Sequence, residues 1–271
     1  MIKIIDLDNL FDKYIQGYVY QNIGKVKPEE IENQIPVLYE KFGNESLTEL
    51  NGKTPNTYYT EFSTKELLKA LLAHVESGVS VSDYLIEALV DKKDCEEEVA
   101  TEILKENKEE FTAYLMNILN DKKSKLALSR YLEFVLYDYS EPIRELAIEL
   151  LTQYADQVKE QVLVAYNEQT EEKREYLTEI LSGASKDDRV FNILINEFVK
   201  NRNKVPLYAG YLAKYGDERA LPFLLKVIEE DKISYADFEE LRFAIEALGG
   251  EYNKERDFSY DKFFKKIKNK N

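Results

Sequence analysis

The chain has 271 residues, with 37 Lys and Arg against 52 Asp and Glu, a formal net charge of −15. So acidic a surface repels phosphate backbones and disfavours general binding to nucleic acid or to anionic membranes. A single cysteine, Cys95, excludes an intramolecular disulfide, and no apolar run approaches the roughly 20 residues that a membrane span requires.

The length suits one or two domains. The N-terminus, MIKIIDLDNLFDKY, carries acids early and has no signal-peptide core, so a cytoplasmic protein is expected. Leu10, Phe11, Tyr14, Ile15 and Tyr18 form one apolar stripe and predict a helix from Leu7 to about Asn22. Gly24–Lys27 breaks it, and Pro28 suits the start of a second helix through Ile31, Ile35, Leu38, Tyr39 and Phe42, ending at Gly43. Pro36 inside that pattern is expected to kink or split it. Leu50–Phe62, with its Asn-Gly and Thr-Pro turn signals, reads as a linker. Residues 1–62 are thus expected to form a small helical N-terminal cap, and residues 63–271 a repeat array.

Ser63–Glu66 matches the capping-box pattern and predicts a helix over Thr64–Glu76. Further helices are predicted over Val81–Val90, Cys95–Lys105, Lys108–Leu119 and Ser124–Tyr137. Next come Glu141–Tyr154, Asp156–Tyr166, Glu171–Leu181, Asp187–Lys200, Val205–Tyr215, Arg219–Glu229 and Tyr235–Leu248. In the tail, Tyr260, Phe263, Phe264 and Ile267 suit a last short helix, with Lys265, Lys266, Lys268 and Lys270 turned to solvent.

Two markers recur through the second half. Asp156, Asp187 and Asp217 stand 31 and 30 residues apart, each between two apolar stripes, where an Asp can accept a bond from a free helix N–H. Asp187 and Asp217 are followed two residues later by Arg189 and Arg219. The small residues Ala147, Thr178, Ala209 and Ala244 run in step, each mid-helix, where a short side chain lets two helices approach. A helix pair that cannot bury its apolar face alone would stack on its neighbours.

At these residues the chain resembles the HEAT-like repeats of bilin-lyase-type proteins. SEPIRELAIELL (Ser140–Leu151) looks like that family's second helix, with Pro142, Arg144 and Ala147 in place, and YGDERALPFL (Tyr215–Leu224) looks like its inter-repeat joint. LRFAIEALG (Leu241–Gly249) echoes the second helix again. The resemblance covers about residues 140–250 and implies an all-α, right-handed α-solenoid whose concave face is lined by each second helix. It implies a fold rather than an activity.

Aligned on the small residue, Glu145, Tyr176, Leu207 and Arg242 take one outward position, and Glu149, Ile180, Tyr211 and Glu246 the next turn. Tyr176, Ile180, Leu207 and Tyr211 are apolar where a solvated face should be polar. Either they pack against neighbouring repeats or they form a contact patch. The second reading, with Arg242 beside them, gives a non-catalytic scaffold that binds a protein partner on the concave face. The resemblance also admits an enzyme of the HEAT-like DNA glycosylase kind. That family relies on a basic groove and tryptophan, whereas this chain is acidic and has no Trp.

No catalytic residue, metal ligand or cofactor site is assigned. His74, the only histidine, lies in LLKALLAHVE beside an apolar stripe, so histidine-cage metal sites and histidine-based nucleophile pairs lack their parts. Acids flank Cys95 at Asp94 and Glu96–Glu98, a setting that raises a thiol pKa. Glycine-rich nucleotide loops are missing. Glu96–Glu98 and Asp187–Asp188 are adjacent on the chain, and side chains about 100° apart on a helix do not converge on one ion.

Overall fold

A computed structural model describes residues 2–22, 31–137 and 139–268. The helix start expected at Pro28 and the tail lysine Lys270 lie outside them. Among the described residues the fold is all-helical, with no strand, and none of the helices is long and apolar enough to cross a membrane. The chain divides into two compact units, Met1–Arg130 and Tyr131–Asn271.

In the first unit, α1 (Leu7–Gln21) starts at Asp6, whose carboxylate accepts from Asn9 N–H at 2.9 Å. α2 is Ile35–Gly43. The apolar pattern is split there as expected: Ile31 and Glu32 are helical, residues 33–34 form a turn, and Pro36 sits in the first turn of α2, where its missing N–H leaves no bond unmade. The stretch expected to be a linker is structured. Asn51 and Gly52 do take the positive φ of a turn, but Pro55 then opens α3 (Pro55–Tyr58) and a 3-10 turn follows over Tyr59–Glu61. Leu50, Tyr58 and Tyr59 are all buried there.

α4 (Thr64–Ser77) begins with the capping box: Ser63 and Glu66 each accept the other's backbone N–H, and Gly78 closes the helix at φ 62°. α5 (Asp83–Val90), α6 (Cys95–Glu102) and α7 (Glu109–Asp121) follow. Residues 1–62 do not stand apart from these helices. The Ser80 hydroxyl donates to Asp8, Lys92 Nζ donates to Thr60 C=O at 2.7 Å, and the Tyr39 and Tyr84 rings stack at 5.0 Å. The compact-unit boundary accordingly falls at 130/131 rather than at the expected 62/63.

That boundary lies within α8 (Leu128–Leu136). The second unit continues with α9 (Glu141–Gln153), α10 (Ala155–Glu168), α11 (Glu171–Leu181), α12 (Asp188–Lys200) and α13 (Val205–Tyr215). A 3-10 turn over Glu218–Ala220 then leads into α14 (Leu221–Ile228), followed by α15 (Tyr235–Ala247) and α16 (Lys262–Lys268). Ser234 caps α15 by accepting from Asp237 N–H at 3.0 Å.

Alternate helices pack side by side: α9 on α11, α11 on α13, and α13 on α15. Ala147, Thr178, Ala209 and Ala244 are all fully buried on these four helices. Beside this contact, Gly183 permits another close approach, since a Cβ there would meet Thr152 C=O at 2.2 Å.

The joints carry a second periodic contact. Asp187 accepts from Arg189 N–H at 2.9 Å and Asp217 from Arg219 N–H at 3.0 Å. Each arginine folds back onto its own aspartate and also reaches a carboxylate 29 or 31 residues upstream, Arg189 to Glu160 at 2.7 Å and Arg219 to Asp188 at 2.7 Å. Asp156 behaves differently from the expected cap. α9 runs almost directly into α10 through Tyr154, leaving no joint to cap, and Asp156 lies inside the first turn of α10. Its Oδ1 instead accepts from the N–H (2.9 Å) and hydroxyl (2.7 Å) of Ser185, at the following joint.

Candidate partner-binding face

The sequence places Tyr176, Ile180, Leu207, Tyr211 and Arg242 on one face of the second unit. The structure buries two of them. Tyr176 on α11 and Leu207 on α13 are half-buried, at equivalent positions two residues before the buried Thr178 and Ala209. Ile180 is 0% exposed and Tyr211 8%. Positions two before and two after the small residue differ by about 40° around a helix. That rotation takes the second pair out of solvent: the Tyr211 hydroxyl donates to Glu179 Oε2 on α11 at 3.0 Å. Tyr211 also meets the Tyr208 ring edge-on at 5.7 Å. Burial, with Glu179 beside it, pushes the Tyr211 phenol pKa up. Ile180 and Tyr211 are thus packing residues, and the outward position assigned to them is an inward one.

Tyr176 keeps an open edge. The Arg144 guanidinium from α9 lies over its ring at 5.1 Å, and its hydroxyl reaches Glu172 at 3.4 Å. Burial raises its pKa while Arg144 pulls it down. α9 and α11 also carry Glu145, Glu149 and Glu172, all exposed. On α13, Gly210 leaves open space beyond its Cα. Basic groups are present too, Arg144 over Tyr176 and Lys204 paired with Glu175, so the exposed charge on α9 and α11 is that of the carboxylates, which suits a basic segment bearing apolar side chains.

Arg242 is on α15, two residues before the buried Ala244 and so at the position equivalent to Tyr176 and Leu207. It is exposed, donates to Glu239 Oε2 at 2.8 Å, and borders a depression of about 400 Å³ whose floor includes Phe238, Tyr252 and Phe258.

In the second unit the buried Tyr131 and Ser140 hydroxyls have no hydrogen-bond partner, whereas the buried Glu197 carboxylate does. Glu197 accepts from the Tyr166 hydroxyl and, at 2.7 Å, from Asn201 Nδ2. In the first unit His74 is buried, with Nδ1 2.8 Å from Ser80 C=O. The buried Cys95 thiol is pushed up to about 11 by burial, with Asp94, Glu96 and Glu97 adding to the rise and Lys122 opposing it. That is the opposite of what a reactive thiolate needs. A cleft of about 310 Å³ between α4, α6 and α7 has Lys65, Lys69 and Lys105 at its rim. Lys65 pairs with Glu98 at 3.3 Å and Lys105 with Glu102 at 2.6 Å, so its charge is largely balanced. Among the described residues no cluster of His, Cys, Asp and Glu is arranged to hold a metal ion.

Comparison of the chain with models of known protein families, with curated proteins and with solved structures gives no match.

Proposed function

We propose that the chain is a helical-repeat scaffold of the α-solenoid type that binds a protein partner through the outer face of α11 and α13. The observation that carries this reading is the pair of half-exposed apolar side chains, Tyr176 and Leu207, at equivalent positions of two touching helices. The exposed carboxylates Glu145, Glu149 and Glu172 on α9 and α11 select a basic segment and oppose a phosphodiester backbone. Tyr176, held by Arg144, is pre-ordered and loses little side-chain freedom on binding.

The test is fluorescence anisotropy with a panel of amphipathic lysine-rich and glutamate-rich peptides. Wild-type protein is expected to prefer the lysine-rich set. Tyr176→Lys with Leu207→Lys should weaken that binding at least about tenfold, as loss of an anchor pair at a small interface does. Helicity should be unchanged, because both sites are open enough for lysine to reach solvent. Indifference to peptide charge, or to the substitutions, would overturn the reading. Tight binding of a duplex oligonucleotide would favour a nucleic-acid enzyme on the same helices instead.

A further inference from the structure

α15, the last helix of the side-by-side series, carries an exposed stripe. α15 buries Leu241, Ala244 and Ile245, and its Phe238 packs on Tyr252 and Phe258 of the segment that follows. Its opposite stripe is Glu239, Arg242, Phe243 and Glu246, at the i, i+3, i+4, i+7 spacing of a single face. These residues and Glu240 line a shallow depression of about 420 Å³, with Phe243 65% exposed. A solvated helix face is normally polar. This one is mostly acidic with one large aromatic left open.

A complementary surface lies a few residues further along the chain. α16, KFFKKIK, turns Phe264 inward, 4.9 Å from the Tyr235 ring. Its other apolar residues, Phe263 and Ile267, are 56% and 38% exposed at i, i+4 spacing, with Lys265 and Lys266 exposed beside them. A basic helix with an open apolar pair and an acidic helix with an open phenylalanine therefore occur at the same end of one unit. Asp261 ties them together, accepting from Tyr235 N–H at 2.8 Å and from Phe263 N–H at 2.7 Å.

We infer that this end pairs with the same end of a second copy of the chain, α16 of each protomer lying on the Glu239–Glu246 stripe of the other. Donor and acceptor on one surface make the contact self-complementary, so it closes as a two-fold dimer and does not propagate. Lysines from α16 meet Glu240 and Glu246, while Phe263 and Ile267 cover Phe243. The contact is small, so the dimer is reversible and salt-sensitive.

Sedimentation velocity on the full chain tests this over about a hundredfold range of concentration, because a reversible dimer shifts by mass action. Wild type should move from monomer to dimer. Phe243→Glu should weaken the dimer at least about tenfold, as should Glu240→Lys with Glu246→Lys, or Lys265→Glu with Lys266→Glu. Combining the two charge-reversed pairs should restore most of it, which no folding defect would do. Leu207→Lys, on the partner-binding face, should leave it unchanged. A monomer at every concentration overturns the inference. So does a dimer indifferent to these reversals, or one that Leu207→Lys dissolves.

Discussion

Ala209 is fully buried midway along α13, the helix packed on both α11 and α15. Three extra carbons at that place have nowhere to go, so Ala209→Leu is expected to cost about 1–3 kcal/mol by overpacking. The thermal midpoint should fall by several degrees, and an unchanged melt would mean that the contact has slack. Residues of this kind are legible from sequence because the constraint repeats: a small residue returns about every 31 positions and finds the same burial at Ala147, Thr178 and Ala209. The surface residues were not equally legible. A helical wheel places Ile180 and Tyr211 opposite the small residue, yet it carries no information about which flank the neighbouring helix covers. Only the Glu179 carboxylate, waiting on α11 for the Tyr211 hydroxyl, shows that this flank is closed. Of the five expected contact residues, Tyr176, Leu207 and Arg242 stay unburied at equivalent positions of successive packed helices, and Ile180 and Tyr211 are buried.

At the scale of elements, the joints are the places where charge does structural work. Asp217 is buried, caps the 3-10 turn before α14, and receives the Arg219 guanidinium. Those hydrogen bonds hold its carboxyl below the usual range, and Arg189 does the same for Asp187. Ser185 lowers Asp156 in the same sense. A carboxylate whose folded pKa is depressed contributes stability above its unfolded pKa, near 4, and that stability is lost as pH falls through the folded value. The melting temperature should therefore be flat near neutrality and fall below about pH 4. Asp187→Asn with Asp217→Asn should lower the neutral-pH plateau and shrink the acid-side drop, a paired loss that thermal melts against pH would show. Equal acid sensitivity in both proteins would place it elsewhere. The sequence announces these joints by the Asp-x-Arg spacing. It misleads at Asp156, where the same residue type in the same period serves the next joint because α9 and α10 have none between them. It misleads again at Pro55, which sits in a stretch that reads as interruption and yet begins a helix, since a first-turn proline breaks no bond.

At the scale of the molecule, local pattern carries least. The division at 130/131 depends on contacts such as Asp8 with Ser80 and Tyr39 with Tyr84, which join residues far apart in sequence and leave no periodic trace. A reading by repeats sees a change of texture near residue 62, whereas folding groups those first helices with α4–α7. The second unit has the makings of independence. Its core is continuous from α9 to α15 through Leu151, Leu177, Leu194, Leu212, Leu224 and Ile245, each at most 1% exposed. Its period-spanning bonds, from Asp156 with Ser185 to Arg219 with Asp188, close within it. A polypeptide of residues 126–271, which keeps α8 whole, is therefore expected to fold alone. Its circular dichroism should be strongly helical and its urea unfolding a single cooperative transition, as nearest-neighbour coupling in a short helix stack produces. A broad, uncooperative transition would show that the compact unit is a geometric grouping and that its stability depends on residues before 126.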